Sequence, residues 1–132
     1  MQHPNLEEWE SKLENALDEL DDYLENKYGS LFELHPARAK RGKTSKKSHD
    51  GLFSITAGFT LGIGSKYGKG YVVNVNLSTL EHVPTKKRAE IEQVTVIKLQ
   101  ELIPKYLPCK DLQVIRDGKV IKIFGDLSLG YL

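Results

Sequence analysis

Residues 53–77 read FSITAGFTLGIGSKYGKGYVVNVNL, and this stretch decides the fold. Apolar residues occupy every second position of its first half, with small or polar residues between them, and a second alternating run covers 71–77. A period of two is typical of a strand that buries one face. Because the glycine-rich stretch 64–70 separates the two runs, we predict strands over 52–63 and 71–77 that form a hairpin.

The apolar positions also predict how the two strands pair. If Ile63 lies opposite Tyr71, Phe59 faces Val75 and the apolar sets of the two strands coincide. A slip of one residue would move one set to the opposite face of the sheet. We therefore predict this register.

Helices are predicted on both sides of the hairpin. Residues 6–28 carry a broad apolar stripe at helical spacing, and Asn5 is a suitable N-cap. Residues 85–103 also show helical spacing, and their length favours a helix although a β-branched run within them would suit a strand. We expect Pro104 and Pro108 to end this second helix.

A second hairpin is predicted over residues 111–116 and 119–124. Asp117-Gly118 between these segments is one of the strongest two-residue hairpin turns. The predicted order of elements is therefore α-β-β-α-β-β. Antiparallel hairpins covered by helices on one face form a two-layer sandwich of the α+β class.

Composition fits one globular domain. The chain has 132 residues, of which 39% are hydrophobic and 28% are charged, and this suits a single core. We divide the domain into an acidic helix over 6–28, a basic loop over 30–50 and a ββαββ core over 51–132. The basic loop has no sustained apolar period, and long segments of this kind are typically functional or disordered.

The sequence favours a cytoplasmic protein. No apolar run approaches the length of a membrane span, and the acidic N-terminal sequence lacks the apolar core of a cleaved signal. The single cysteine, Cys109, excludes an internal disulfide and a cysteine-rich zinc site. We therefore expect no membrane partner and no cofactor.

A net charge of +1 hides an uneven distribution of charge. Residues 1–28 contain nine acidic residues and two lysines, whereas residues 29–132 contain seventeen basic and nine acidic residues. Such asymmetry indicates that the two parts have different electrostatic roles. The alternative is that they neutralise each other in the folded chain.

Three basic groups that are distant in sequence are predicted to meet at one end of the sheet. The basic loop leads into the first strand, the second helix begins where the second strand ends, and the turn of the second hairpin returns to that end. Basic residues in the first turn of a helix oppose its dipole unless an anion binds there. The alternative is that the bases at 86–88 pair with acids of the first helix or with Glu90 and Glu92. The candidate anion-binding residues are Arg38, Lys40, Arg41, Lys43, Lys46, Lys47, Lys86, Lys87, Arg88, Arg116 and Lys119.

These residues predict a small module that binds the phosphate backbone of RNA or DNA. The alternative is a protein-interaction or self-assembling module. Its acidic first helix would pair with a partner protein or a second copy, and its basic segment would dock on that helix within one chain or between chains. No catalytic residue is assigned, and an enzyme is not favoured.

A metal-dependent phosphodiesterase is a third hypothesis. The pairs His49-Asp50 and Glu81-His82 flank the first hairpin, and two histidines with two carboxylates could hold a divalent metal. The spacing of these residues is not specific, and such pairs at strand ends usually cap turns or face water. We therefore assign no metal ligand.

Overall fold

The computed structural model describes residues 4–60, 70–108, 111–117 and 120–125. The strands form one antiparallel sheet in the order β1-β2-β4-β3, with the two helices packed on it, so the predicted two-layer α+β sandwich is confirmed. The elements are α1 (Pro4–Tyr28), β1 (Phe53–Thr60), β2 (Gly70–Leu77), α2 (Thr85–Tyr106), β3 (Leu112–Asp117) and β4 (Val120–Gly125).

One hydrophobic core joins the helices to the sheet. The alternating side chains of the strands supply its floor, and the apolar stripes of both helices cover that floor. At one end of α1, the Trp9 ring stacks on Tyr71 with ring centroids 4.7 Å apart. At the other end, Tyr28 donates a 2.9 Å hydrogen bond to Glu90 near the start of α2. The contacts of Trp9 and Tyr28 with separate elements fix α1 along the sheet.

The register of the first hairpin differs from the predicted one. Phe59 pairs with Tyr71 instead of Val75, a shift of four residues, while Ile63 lies outside the described residues. An even shift leaves every side chain on the same face of the sheet, because successive residues of a strand alternate between faces. The alternation therefore fits both registers equally well, and it could not select between them.

Both helices extend further than predicted. Because α1 begins at Pro4, Asn5 lies in its first turn and is not the N-cap. Pro104 lies inside α2, which continues to Tyr106 and is therefore not ended by this proline. Tyr106 donates a 2.6 Å hydrogen bond to Glu19, and this contact with α1 holds the final turn despite the N–H that proline lacks. Among the described residues, no helix has an apolar stretch that could cross a membrane.

The second hairpin is confirmed, but its turn lies one residue later than predicted. Asp117 is the last residue of β3 and pairs with Val120. The connecting residues are therefore 118 and 119, which lie outside the described part of the chain. Because β4 lies between β2 and β3, this hairpin joins the first one in a single sheet.

Two glycines in the first hairpin allow a matched stability test. A Cβ atom at Gly70 would overlap the carbonyl oxygen of Ile123, whereas a Cβ atom at Gly58 would have no atom within 4 Å. We expect Gly70→Ala to lower the free energy of unfolding by about 1–3 kcal/mol, because the backbone of β2 or β4 must shift. Gly58→Ala should change it by less than about 0.5 kcal/mol. Urea unfolding measures both values, and equal losses would contradict this account of Gly70.

Candidate functional site

The basic loop is held to the start of β1 by Arg38. The guanidinium group donates hydrogen bonds to the carbonyl oxygens of Gly51 at 3.0 Å, Phe53 at 3.1 Å and Asp50 at 3.3 Å. These bonds satisfy backbone acceptors that the loop and the strand end would otherwise leave open. The predicted anion-binding residue Arg38 thus supports the fold.

Arg41 docks the basic loop on α1 of the same chain. Its guanidinium nitrogens lie 2.6 Å from an oxygen of Asp21, 2.6 Å from one of Asp22 and 3.3 Å from one of Asp50. Lys47 forms a second ion pair with Asp22. Two of the predicted anion-binding cations are therefore already paired with carboxylates of this protein.

The three carboxylates around Arg41 lie in different environments. Asp21 is buried, and within the described part of the chain Arg41 meets its carboxylate as an ion pair. Burial raises the pKa of Asp21 to about 7, against the opposing charge of Arg41. Burial also acts to raise the pKa of Asp50, but hydrogen bonds from Thr44 outweigh it and hold this pKa below its usual value.

The bases at the start of α2 lie beside acidic residues. Lys87 pairs with Glu90 at 3.2 Å. The two oxygens of Glu92 lie 3.8 Å from Arg88 Nε and 3.7 Å from Arg116 Nε. The structure therefore brings Arg88 and Arg116 together, as the topology predicted, with a carboxylate between them.

Four predicted cations are exposed, and their side chains form no ion pair within the described ranges. Lys40, Lys43 and Lys46 lie on the basic loop, and Lys86 lies in the first turn of α2. Lys119 lies outside the described residues. These exposed lysines remain available for a polyanion.

The four residues of the third hypothesis either make separate structural contacts or are exposed. The carboxylate of Asp50 is held by Thr44 and Arg41, and Glu81 accepts a hydrogen bond from the backbone N–H of Glu33. His49 and His82 are exposed. In the part of the chain that the structure describes, no group of three or more His, Cys, Asp or Glu could hold a metal ion. The phosphodiesterase hypothesis gains no support from this arrangement.

A groove of about 710 Å³ runs between α1 and β1, next to the basic loop. Its floor is apolar and includes Leu17, Ala57 and Phe59. Phe59 is 54% exposed, although it lies on the face of the sheet that carries the core. The α1 wall is acidic and contains Glu10, Glu14, Asp18 and Asp21, and Lys46 and Lys47 close one end. We call this feature the α1–β1 groove.

Sequence patterns alone do not reveal the groove. The apolar stripe of α1 indicates a face packed on the core, and the acids beside it indicate a solvated face. One signal is present, because Asp21 lies at i+4 from Leu17 and i−3 from Leu24, within the apolar stripe. A carboxylate at such a position needs a cation from elsewhere in the fold.

Comparisons with known proteins place the chain in a family. A family model described as "Uncharacterised protein" matches residues 4–125. The chain belongs to this family. A protein of Borreliella burgdorferi, described as an uncharacterized protein, is 36% identical over 118 residues, which cover 89% of this chain and 92% of that protein. No solved structure gives a significant match. The family match spans both helices and all four strands, and hence every wall of the α1–β1 groove.

The raised pKa of Asp21 predicts a specific dependence of stability on pH. Because the folded-state pKa is about 7 and the ordinary value is 3.8, the folded state keeps a proton that the unfolded state loses between these values. The stabilisation is complete below about pH 4 and is lost as the pH rises to about 7. Relative to Asp21→Asn, the wild type should therefore lose stability across this window, by at most about 1.4 kcal/mol per pH unit.

Urea unfolding of both proteins between pH 4 and 8 measures this difference. Asp22→Asn is the control: burial acts to raise the pKa of Asp22, but hydrogen bonds from Lys47 and Arg41 lower it below the ordinary value. Asp22 should therefore contribute no loss of stability with rising pH in the same window. A wild-type curve parallel to that of Asp21→Asn would mean that Arg41 keeps Asp21 ionised throughout.

Proposed function

We propose that this protein is a protein-interaction module whose α1–β1 groove binds a basic segment of a partner protein. The observation that carries this proposal is the combination of an acidic wall with an apolar floor in one open groove. The apolar floor would supply the free energy of burial, and the acidic wall would select the sign of the partner's charge.

The acidic wall favours a cationic partner. Burial raises the pKa of Asp18, and the nearby carboxylate of Glu14 raises it further. Asp22 adds to this repulsion, whereas Lys47 and Arg41 offset the rise in pKa only in part. A lysine or arginine placed in the groove would relieve this repulsion. Its aliphatic stem could lie on Leu17 while its charged group reaches the carboxylates.

The apolar floor supports the same proposal. The exposed ring of Phe59 makes an edge contact with Tyr71 at a centroid distance of 5.6 Å. Aromatic side chains in partly formed pockets are common anchors of protein interfaces. A segment that offers both apolar surface and positive charge to the groove therefore matches its floor and its wall. We place this interaction in the cytoplasm, as the single cysteine favours.

A peptide tests this proposal. The probe is a fluorescently labelled ten-residue peptide in which lysine and valine alternate, compared by anisotropy with a peptide of alternating glutamate and valine. We expect the lysine peptide to bind more tightly. Glu10→Lys combined with Glu14→Lys should weaken its binding at least about tenfold, because two attractive contacts become repulsive.

The matched control combines Glu33→Lys with Glu101→Lys. These changes alter the net charge equally, but both residues are exposed and neither lines the groove. This control should keep affinity within about threefold of the wild type, the remaining change reflecting long-range charge. Equal weakening by the two double variants would show that only net charge matters, and that the groove is not the site.

Binding of a polyanion remains the second candidate function. It is favoured by the exposed lysines of the basic loop, Lys40, Lys43 and Lys46, together with Lys86. The loop that carries the first three is fixed by Arg41 and by the bonds between Thr44 and Asp50. Phosphate contacts would then come from flexible lysine side chains on a docked loop, while Arg38 and Arg41 keep their bonds within the protein.

The polyanion candidate predicts a local effect of lysine substitution. Removing charge with Lys40→Gln and Lys43→Gln should weaken the binding of labelled RNA or DNA several-fold at about 50 mM salt, because each phosphate contact releases counterions. Lys12→Gln with Lys27→Gln removes the same charge from α1 and should have a smaller effect. Fluorescence anisotropy at about 50 and 200 mM salt measures both. Identical binding by the two variants would remove the loop lysines from the site.

A further inference from the structure

In the described sheet, β1 is an edge strand, and the hydrogen bonds near its start show which backbone groups face outward. The N–H of Phe53 donates to Glu25, and its carbonyl oxygen accepts from Arg38. The preceding carbonyl, of Leu52, accepts instead from Ser78, which follows β2. In an antiparallel pair, residues that bond to the neighbouring strand alternate with residues that bond away from it.

This alternation assigns the outer edge of β1. Ile55, Ala57 and Phe59 follow Phe53 at intervals of two, so their N–H and C=O groups point away from β2. No hydrogen bond to these groups is present among the residues that the structure describes. The same three side chains face the helix layer. The open backbone edge therefore runs beside the α1–β1 groove.

The two edge strands of the sheet differ in their protection. Natural edge strands usually carry charged residues, proline, a bulge or a covering side chain that prevents pairing with another chain. On β3, Arg116 and Asp117 are charged, and Gln100 donates a 3.0 Å hydrogen bond to the carbonyl of Val114.

In contrast, β1 contains no charged residue and no proline, and it pairs with β2 without a bulge over all eight residues. In the described part of the chain, the side-chain hydrogen bonds of Glu25 and Arg38 cover this edge at Phe53 and leave it open from Ile55 onward. An open edge of this kind fits a strand supplied by another chain.

We propose that the partner segment binds as an additional β-strand along β1, antiparallel or parallel, with basic residues at alternate positions. This inference rests on the proposed function and gives it a binding mode. The backbone of the segment pairs with the outward groups of Ile55, Ala57 and Phe59. Its basic side chains lie on the groove side, where their aliphatic stems cover Ala57 and Phe59. Their charged groups extend toward Glu10 and Glu14.

The partner side chains between the basic ones would lie on the opposite face of the sheet, away from the helices. There the added strand lies beside Thr56 and Gly58, and the space above Gly58 is open. A β-branched or aromatic side chain from the partner fills this space next to the glycine. The partner segment is therefore an extended stretch in which basic residues alternate with β-branched or aromatic ones.

A second copy of this chain is a poorer occupant of the edge. If two β1 strands paired in a continuous sheet with both helix layers on one face, the acidic walls of the two grooves would face each other. Glu10 and Glu14 of each copy would then lie near the same residues of the other. Like charges in that arrangement weaken association. The charge of the wall therefore selects a basic segment over another copy.

Backbone methylation of the alternating lysine–valine peptide tests the binding mode without altering the protein. One peptide carries N-methyl groups on the lysine amides, and a second carries them on the valine amides. In an added strand only one of these sets points toward β1, whichever direction the strand runs. We expect one methylated peptide to lose at least about tenfold in affinity and the other to stay within about threefold of the unmodified peptide.

The outcomes separate this inference from the proposed function. If the unmodified peptide binds and both methylated peptides bind equally well, strand addition is wrong and the groove still holds a basic segment. If no peptide binds, both proposals fail. Sedimentation equilibrium of the free protein tests whether a second copy of this chain occupies the edge. If the wild type dimerises and Ala57→Pro abolishes the dimer, the edge of β1 belongs to a second copy and the basic segment is not its occupant.

Amide hydrogen exchange gives an independent readout. The N–H groups of Ile55, Ala57 and Phe59 should exchange more slowly by at least about tenfold when the edge is saturated with peptide. Those of Thr56 and Gly58 already point toward β2 and serve as internal controls, because peptide pairing should leave them nearly unchanged. Uniform slowing of all five amides would indicate general stabilisation and would overturn the assigned edge.

Discussion

A carboxyl group buried in the packed face of a helix must either keep its proton or meet a cation, and in this protein Asp21 on α1 lies 2.6 Å from Arg41 of the basic loop. This ion pair joins parts of the chain that carry opposite charges. Arg41 also contacts Asp22 and Asp50, so the basic loop is held both in its middle, at Arg41, and at its end, at Asp50. The position of the loop then defines one end of the α1–β1 groove through Lys46 and Lys47.

The same pairing divides the charge of α1 into two parts. The carboxylates of Asp21 and Asp22 face cations of the loop, whereas Glu10 and Glu14 line the groove. The net negative charge of the N-terminal segment is thus neutralised mainly in the second half of the helix. Its first half keeps an acidic surface beside exposed apolar side chains. Local charge in the folded chain therefore differs strongly from the net charge of +1.

Periodicity predicted the elements and the buried faces, because spacing of apolar residues depends directly on which side of a helix or strand is packed. It could not predict the pairing of Phe59 with Tyr71, since an even shift preserves both faces. It also could not show that Arg38 and Arg41 are held within the fold. The location of a cation in sequence does not specify which carbonyls and carboxylates tertiary packing brings to it, and Asp21 within the apolar stripe was the one local signal.

The two candidate functions place different demands on this arrangement. If a polyanion used Arg41, it would have to remove the cation from the buried Asp21, whose carboxylate would then lose its ion-pair partner and be more costly to keep ionised. The exposed lysines avoid that cost but offer only mobile, solvated charges. A basic segment in the α1–β1 groove disturbs none of these pairs. It adds cations where Glu14 and Asp18 repel each other, and it pairs with the open backbone edge of β1. The repulsion between the two carboxylates and the unpaired edge are both unfavourable in the free protein, and each would become a favourable contact in the complex.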